Sequence, residues 1–328
     1  MYISKSLKHF LLSTQLVLGI GLASTSIASA EQIRAATEVG AGGDLAIILT
    51  EFKAEVEKRS SEVKVNVLTG GALGTQRQLQ EQLQLGTIEV IATASDIVEL
   101  AGQFSVFDLP FLFGSEEQAH RALDGDLGTM LTEKLIAERG IRVLAFGELG
   151  FRQITNNTRP IVLPGDLKGL KIRTPSNEWR IEAFRLLGAA PTPIPYSELY
   201  SALQQGVVDG QENPVGTLEE QSLYEVQGYL SMTNHVYTPA YILVNEDWWQ
   251  GLSEEKRKLF SEAAESAADA QRNIIAASAS EIIAAAEDKG MQVNDADTAA
   301  FAEATKPSWQ RFRDKYGDTL IKAAQSVR

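Results

Sequence analysis

The sequence predicts an α/β protein of two domains, each a mostly parallel sheet flanked by helices, and three observations carry that reading. Short apolar, strand-like runs alternate with helical stretches, and strands separated by helices imply parallel pairing. The 328 residues, less a leader covering the first thirty, exceed what one core usually organises, which points to two units of about 150 residues each. Leu79, Leu83, Gln84, Gly86, Ile88 and Glu89 return, at a constant offset of 120, as Leu199, Leu203, Gln204, Gly206, Val208 and Asp209. In both places a helix with apolar residues four apart ends at a glycine and feeds a short strand.

The elements follow in order. Ile33 to Thr37 reads as a strand, Gly40, Gly42 and Gly43 as a loop, and Asp44 as the N-cap of a helix reaching about Arg59. Val63 to Leu68 alternates apolar and polar residues, and a Gly-Gly turn leads to a helix over Gln76 to Leu85. Gly86 stops that helix, and Ile88 to Ala92 is a buried strand. Far downstream, Ser253 to Lys289 holds many alanines and neither Pro nor Gly, so its summed helix propensity is high, and Ser253 before Glu254 and Glu255 suits a helix start. One helix of that length would be about 54 Å long and would run across both domains; two helices broken near Ala276 to Ser280 satisfy the same residues. If the repeat marks two similar α/β units, ligands belong beyond the carboxyl ends of the strands at the switch in strand order. That geometry nominates Asn213 in the second unit, and Thr93 with Ser95 in the first.

Composition narrows the function classes. There is no cysteine, which excludes a disulfide framework, thiolate metal sites and a cysteine nucleophile. Lys5 and Lys8, the apolar run Phe10 to Leu22 and the small residues Ala28-Ser29-Ala30 form the pattern of a secretory leader cleaved after Ala30. Its apolar stretch is too short to span a bilayer. Without it the chain keeps 28 basic and 43 acidic residues, a net charge of −15, so nucleic acid and anionic membrane are unsuitable partners. An exported, soluble protein with no direct membrane insertion is the expectation. Enzyme signatures are missing: no HExxH, no GxSxG, no GxxxxGK[ST], and the glycines at 40 to 43 lack dinucleotide-loop spacing. No catalytic residue, metal site or cofactor is assigned. His120 and His235 are the histidines left after the leader, and His235 within Thr233-Asn234-His235 reads as structural.

The informative strings are FDLPFLF at 107 to 113, GFRQITN at 150 to 156, LPGDLKGLKIRTP at 163 to 175, GAAPTPIPYSELYSALQQGVVDGQENP at 188 to 214 and LYEVQGYLSMTNH at 223 to 235. Through them the chain resembles the solute-binding proteins of TRAP transporters, the DctP family, over essentially the whole mature length. The resemblance implies a two-domain periplasmic-binding-protein architecture of the Venus-flytrap kind, with residues 31–150 plus about 238–278 in one domain and 151–237 plus about 279–328 in the other. It implies that Arg173 of GLKIR grips a substrate carboxylate bidentately, a role the guanidinium fork suits physically. Arg152 of GFRQ matches a second family arginine, Asn213 the family's binding asparagine, Tyr196 an aromatic against the ligand, and Glu38 a polar contact. Where relatives that bind sialic acid carry a Glu near Ala94, this chain has Thr93-Ala94-Ser95. Trp179 fits either a cleft wall or a buried helix face.

The implied function is that of a receptor that closes over a small organic acid and delivers it to the TRAP membrane permease. Two arginines with Glu38 and small hydroxyls suit a hydroxylated monocarboxylate such as a sugar acid; Glu38 would repel the second carboxylate of a C4-dicarboxylate, and a zwitterion would leave one arginine in excess. A secreted carbohydrate-acting hydrolase or lyase, and a ligand-sensing domain serving a receptor kinase, are the readings from other classes.

Overall fold

The computed structural model describes residues 30–327; all but the last residue of the expected leader lies outside the described residues. The first half begins with β1 (Glu31–Ala36), α1 (Asp44–Arg59), β2 (Val63–Leu68), α2 (Gln76–Gln84) and β3 (Val90–Thr93), followed by α3 (Glu116–Leu123) and α4 (Asp126–Arg139). A long strand, β4 (Ile141–Asn156), then leads into the second half: β5 (Lys171–Thr174), α5 (Glu178–Leu186), β6 (Ala190–Pro193), α6 (Leu199–Gln204), β7 (Gly210–Pro214), α7 (Gly216–Glu220) and β8 (Tyr229–Met232). The chain returns through β9 (Tyr237–Asn245) and closes with α8 (Glu246–Gly251), α9 (Glu254–Asp288), β10 (Gln292–Asp295), α10 (Thr298–Tyr316) and α11 (Thr319–Ser326). Asp44 opens α1 as its first helical residue and not as the cap; Gly43 holds the cap position, with no side chain to accept a bond.

The strand order is β2-β1-β3-β9-β4-β7-β5-β6, with β8 beside β4 and β10 beside β8. Read from either edge inward it is the same design. Each half has three parallel strands, β2-β1-β3 and β6-β5-β7, flanked by a long antiparallel strand from the crossing pair β9 and β4. The repeat at offset 120 is therefore a duplication of structure. Gly86 and Gly206 adopt φ of 67° and 68°, the left-handed turn a helix needs to end with its carbonyls bonded. Just before β3 and β7, Glu89 accepts the backbone N–H of Arg34 at 2.9 Å and Asp209 that of Lys171 at 2.8 Å. Each acid satisfies a donor of the neighbouring parallel strand, which explains why an acidic residue recurs there.

Both faces of the sheet are covered, so alternate residues of one strand enter different cores. Ile33, Val90, Ala92, Ile242 and Val244 pack with Phe52 of α1 and Phe260 of α9; Ala36, Ile91, Tyr241 and Leu243 pack on the opposite side with Leu83, Leu123 and Leu131. Each large side chain buried this way contributes about 1.5–3 kcal/mol. The second half has its own clusters, around Ile154, Ile172 and Phe184 and around Leu199, Leu203 and Leu230.

The proline- and glycine-free run forms one unbroken helix of 35 residues, Glu254–Asp288, capped by Ser253 and Lys289, not two. The Ser253 hydroxyl accepts the N–H of Lys256 at 3.3 Å, and Gly290, with φ of 98°, ends the run. Its early turns pack on α1, while Ala286 lies in the second half's core. Near its middle, the Gln271 amide accepts the N–H of Glu148 at 2.8 Å and donates to the Glu148 carbonyl at 2.5 Å, fixing the helix to β4. The register of β4 on β9 shifts there, between Glu148 and Gly150, where Gly150 adopts φ of 92°. This bulge, with a glycine in a conformation other residues resist, is where the strand passes from one half to the other. The division written from sequence allots 279–328 to the second unit, but Leu320, Ile321 and Ala324 of α11 pack into the first-half core with Leu123 and Leu131, so the chain's end belongs with the first half in packing. The bordering helix α10 touches both, Phe301 in one core and Phe312 in the other.

Candidate ligand-binding site

The carboxyl ends of β1, β3, β5 and β7 converge on a small cavity of about 50 Å³ that is partly open to solvent. Its walls include Val39 after β1, Ser95 and Asp96 after β3, Arg173 and Pro175 at the end of β5, Asn213 in β7 and Thr217 in α7. Four strands thus deliver residues from both halves to one space, as the switch-point geometry requires.

Of the residues expected to bind ligand, Arg173, Arg152, Asn213, Tyr196 and Ser95 line this cavity. Arg173 is 3% exposed. Its Nε donates to the Ile194 carbonyl at 2.8 Å, and among the described residues no protein acceptor takes its two terminal nitrogens. Burial lowers its pKa, opposed by the nearby Asp96 and Glu212 carboxylates, and a guanidinium stays charged nonetheless. The Tyr196 ring lies 5.9 Å from its Cζ, a cation–π contact. The phenol O–H donates to Glu220 at 2.8 Å.

Arg152 is differently placed. Its Nε and Nη2 are bound to Glu212, at 2.5 and 3.0 Å, and Nη2 also donates to the Asn213 Oδ1 at 2.7 Å. Glu212 is fully buried and takes a further bond from Arg180 at 2.7 Å and one from His235 at 3.1 Å. Burial alone would raise the Glu212 carboxyl, but Arg152, Arg180 and the His235 bond hold it well below the usual carboxylate range. Desolvation lowers His235, so its imidazole is neutral; donating through Nε2 to Glu212, it accepts from the Thr233 hydroxyl at Nδ1, 2.8 Å away. His235 is structural, as expected. Asp108, within the FDLPFLF string, completes the network by accepting from Arg180 at 2.6 Å and Asn177 at 2.5 Å. A second arginine at the cavity is therefore neutralised from behind and orients Asn213.

Two expected contacts stand behind the wall instead of in it. Thr93 is buried and donates to the Gln76 Oε1 at 2.7 Å, and it is Gln76 that lines the cavity. Glu38 accepts the backbone N–H of Gln76 at 3.1 Å and that of Ser197, in the other half, at 3.2 Å. Its carboxylate ties the halves together and is occupied. Trp179 is buried against Phe312 and Tyr316 beneath Arg311, away from the cavity.

Sequence reading missed Asp44, Gln76, Asp96, Thr217 and Glu220, all of which line the cavity. Asp96 was one residue beyond the nominated Ser95; nothing local marks Glu220, in the short helix GTLEE. Asp44 and Glu220 belong to a reciprocal clasp across the cleft. A Cβ on Gly43 would sit 2.5 Å from a Glu220 oxygen, and one on Gly216 would sit 2.8 Å from an Asp44 oxygen. Each half supplies a glycine that leaves room for the other's carboxylate. Burial first, then Glu220 and Glu148, pushes Asp44 up to about 7. A raised carboxyl stabilises the joined halves most below the ordinary value of 3.8, and that stabilisation fades as pH rises toward 7. Ligand affinity is therefore expected to fall from pH 5 to 8, with Glu220, Glu148 and the Tyr196 phenol as the groups facing Asp44, and Asp44→Asn should flatten the profile in titration calorimetry. Gly43→Ala displaces the Glu220 carboxylate from its Tyr196 bond, and should weaken ligand binding about ten- to a hundredfold, the value of one hydrogen bond to a charged group; unchanged affinity would remove the clasp from the closed state.

Residues 36–315 match the family described as bacterial extracellular solute-binding protein, family 7 (DctP). The chain is 32% identical to the 2,3-diketo-L-gulonate-binding periplasmic protein of Escherichia coli over 95% of this chain and 96% of that one. It is also 32% identical to the C4-dicarboxylate-binding periplasmic protein of Rhodobacter capsulatus, covering 84% and 85% of the two chains. The crystal structure of a TRAP periplasmic solute-binding protein from Polaromonas, bound to D-erythronate, superposes with a TM-score of 0.87 at 34% identity, covering 91% of this chain and 99% of that one. These relatives are binding proteins of transport systems, not enzymes, and the hydrolase reading falls with them. The palindromic two-half α/β fold, the cavity at its switch point and the match over most of its length agree: the chain belongs to the DctP family of extracellular solute-binding proteins.

Proposed function

We propose that the chain is the periplasmic receptor of a TRAP transporter and that its ligand is a small hydroxylated monocarboxylate, a sugar acid or close analogue. One observation carries the ligand class: among the described residues Arg173 keeps both terminal nitrogens free of protein acceptors, a whole fork, whereas Arg152 keeps only Nη1 and has its charge matched by Glu212. One free fork matches one carboxylate. The E. coli and Polaromonas relatives, whose names carry a diketo-gulonate and an erythronate, support the same class. Equal identity to the dicarboxylate-binding relative means that overall similarity does not choose between them. The argument for Glu38 as the group repelling a second carboxylate does not survive, because both its oxygens accept backbone N–H groups.

Closure follows from the same geometry. A carboxylate on Arg173, reaching groups of the first half, stabilises only the joined form, with movement at the Gly150 bulge and the long helix as the strap between halves. The joined form is what the membrane permease would recognise. Export with removal of residues 1–30 places the receptor in the periplasm, and no helix among the described residues is long and apolar enough to cross a membrane. A thermal-shift screen of residues 31–328 against aldonates, uronates, keto acids, C4-dicarboxylates and amino acids tests the reading, because ligand at a hundred times its Kd stabilises by about 2.7 kcal/mol. A hydroxylated monocarboxylate should give the largest shift. A larger shift with succinate or malate would overturn the ligand class and leave the receptor role; silence from every acid would overturn both.

A further inference from the structure

The wall of the cavity that holds Arg173 is also acidic, although a site for an anion has an electrostatic reason to avoid carboxylates. Asp96, Asp44 and Glu220 all line it. Asp96 has no hydrogen-bond donor among the described residues, and its Oδ1 is shielded from solvent; the Glu220 Oε1 is likewise shielded and makes no well-formed hydrogen bond, with the Gly40 N–H and the Gln221 side chain as the donors nearest that carboxylate. Glu220 is held through its other oxygen by the Tyr196 phenol, 2.8 Å away. Buried oxygens of this kind are costly unless a donor arrives. The two halves contribute one each, Asp96 from the turn after β3 and Glu220 from α7, and both line the space between them.

We propose that Asp96 and Glu220 are the acceptors for hydroxyl groups along the ligand's tail, and that together they set the receptor's preference for polyhydroxylated acids over dicarboxylates. This rests on the reading of Arg173 as the carboxylate anchor. Once the ligand's carboxylate occupies the guanidinium, the rest of the molecule meets carboxylate oxygens that lack donors. Hydroxyls supply protons to them. A methylene chain leaves them unpaired, and a second carboxylate adds like charge in a desolvated space. Asp96 also stands near enough to Arg173 for the guanidinium to oppose the upward shift that burial imposes, to about 6, so it is mainly ionised, and an acceptor, at neutral pH.

Calorimetric Kd values for acids of equal chain length separate the terms: erythronate, butyrate, succinate and 2-aminobutyrate, with gluconate, hexanoate, adipate and norleucine as their longer counterparts. For the wild type the aldonate should bind tightest in its set. Asp96→Asn keeps the shape and removes the charge; it should weaken aldonate binding about tenfold, the cost of losing a charged acceptor, leave the hydroxyl-free acid unchanged, and improve the dicarboxylate. Glu220→Gln should move the same ratios in the same direction. Unchanged selectivity in both variants, or a dicarboxylate that binds no better, overturns the proposal while the receptor reading stands. An amino acid binding tighter than its aldonate also overturns it, assigning the acidic wall to an ammonium. Failure of the wild type to bind any of these acids, with Arg173→Ala equally inert, overturns the receptor reading and the proposal with it.

Discussion

Arg173→Ala is expected to reduce ligand affinity by a factor of at least about 30, the loss of one partner in a buried bidentate pair being worth roughly 2–5 kcal/mol. The guanidinium reaches the cavity with only its Nε engaged by protein, so its binding edge is free for a carboxylate. Arg173→Lys should recover little, because an ammonium is a point charge without the planar fork and would also lose the bond to Ile194. The ligand-free protein should tell the opposite story. Arg173 is 3% exposed and has no salt bridge among the described residues, so removing it relieves an incompletely paired buried cation and the melting temperature should hold or rise. Titration calorimetry and ligand-free melting on the same variant together separate an anchor from a structural residue. A variant that binds normally would exclude Arg173 as the anchor; one that loses binding and stability in parallel would place it in the scaffold.

Glu212→Ala is expected to produce the largest stability loss, about 3–5 kcal/mol, since it strands buried cations. Arg152 and Arg180 are 2% and 1% exposed, and both rely on this carboxylate. The melting temperature should drop on the order of 10 °C for a chain of this size, with little salt dependence because the charges are shielded from solvent. The sign of the pH effect differs from that of Asp44. Glu212 is held below its ordinary 4.5, so its contribution is complete above that value and is lost as pH falls through the lowered one. Wild type and variant should therefore converge in strong acid, in melts followed by circular dichroism. A loss under about 1 kcal/mol would mean the arginines find water or other acceptors.

The site was partly legible in the sequence for a definable reason. Asn213 and Ser95 were reached from strand ends, which periodicity and a repeat locate, whereas Arg173, Arg152 and Tyr196 were named only through the resemblance to the DctP family; all five line the cavity. Glu38 and Thr93, also expected at the ligand, stand behind the cavity wall. A strand-end residue points either into the cleft or into the neighbouring loop, and that choice depends on backbone N–H groups supplied by Gln76 and Ser197, the second of which is 159 positions away. Asp44 and Glu220 were missed because each owes its role to a glycine in the other half.

What the sequence determined by itself is the set of local features: alternating strands and helices, the duplicated helix-glycine-strand unit, and the proline- and glycine-free run from 253 to 289 that became one helix. These rest on interactions between near neighbours, where propensity, capping and turn conformation act over a few residues. Tertiary structure alone decided that β4 and β9 join the halves into one sheet, that α11 returns to the first half, and which charges are spent. Arg152 and Arg173 look alike in the chain, yet one is matched by a buried glutamate and the other is left free. Charge pairing is settled by approach in space, with Arg152 sixty residues from the Glu212 that neutralises it, and no local pattern encodes a meeting over that distance.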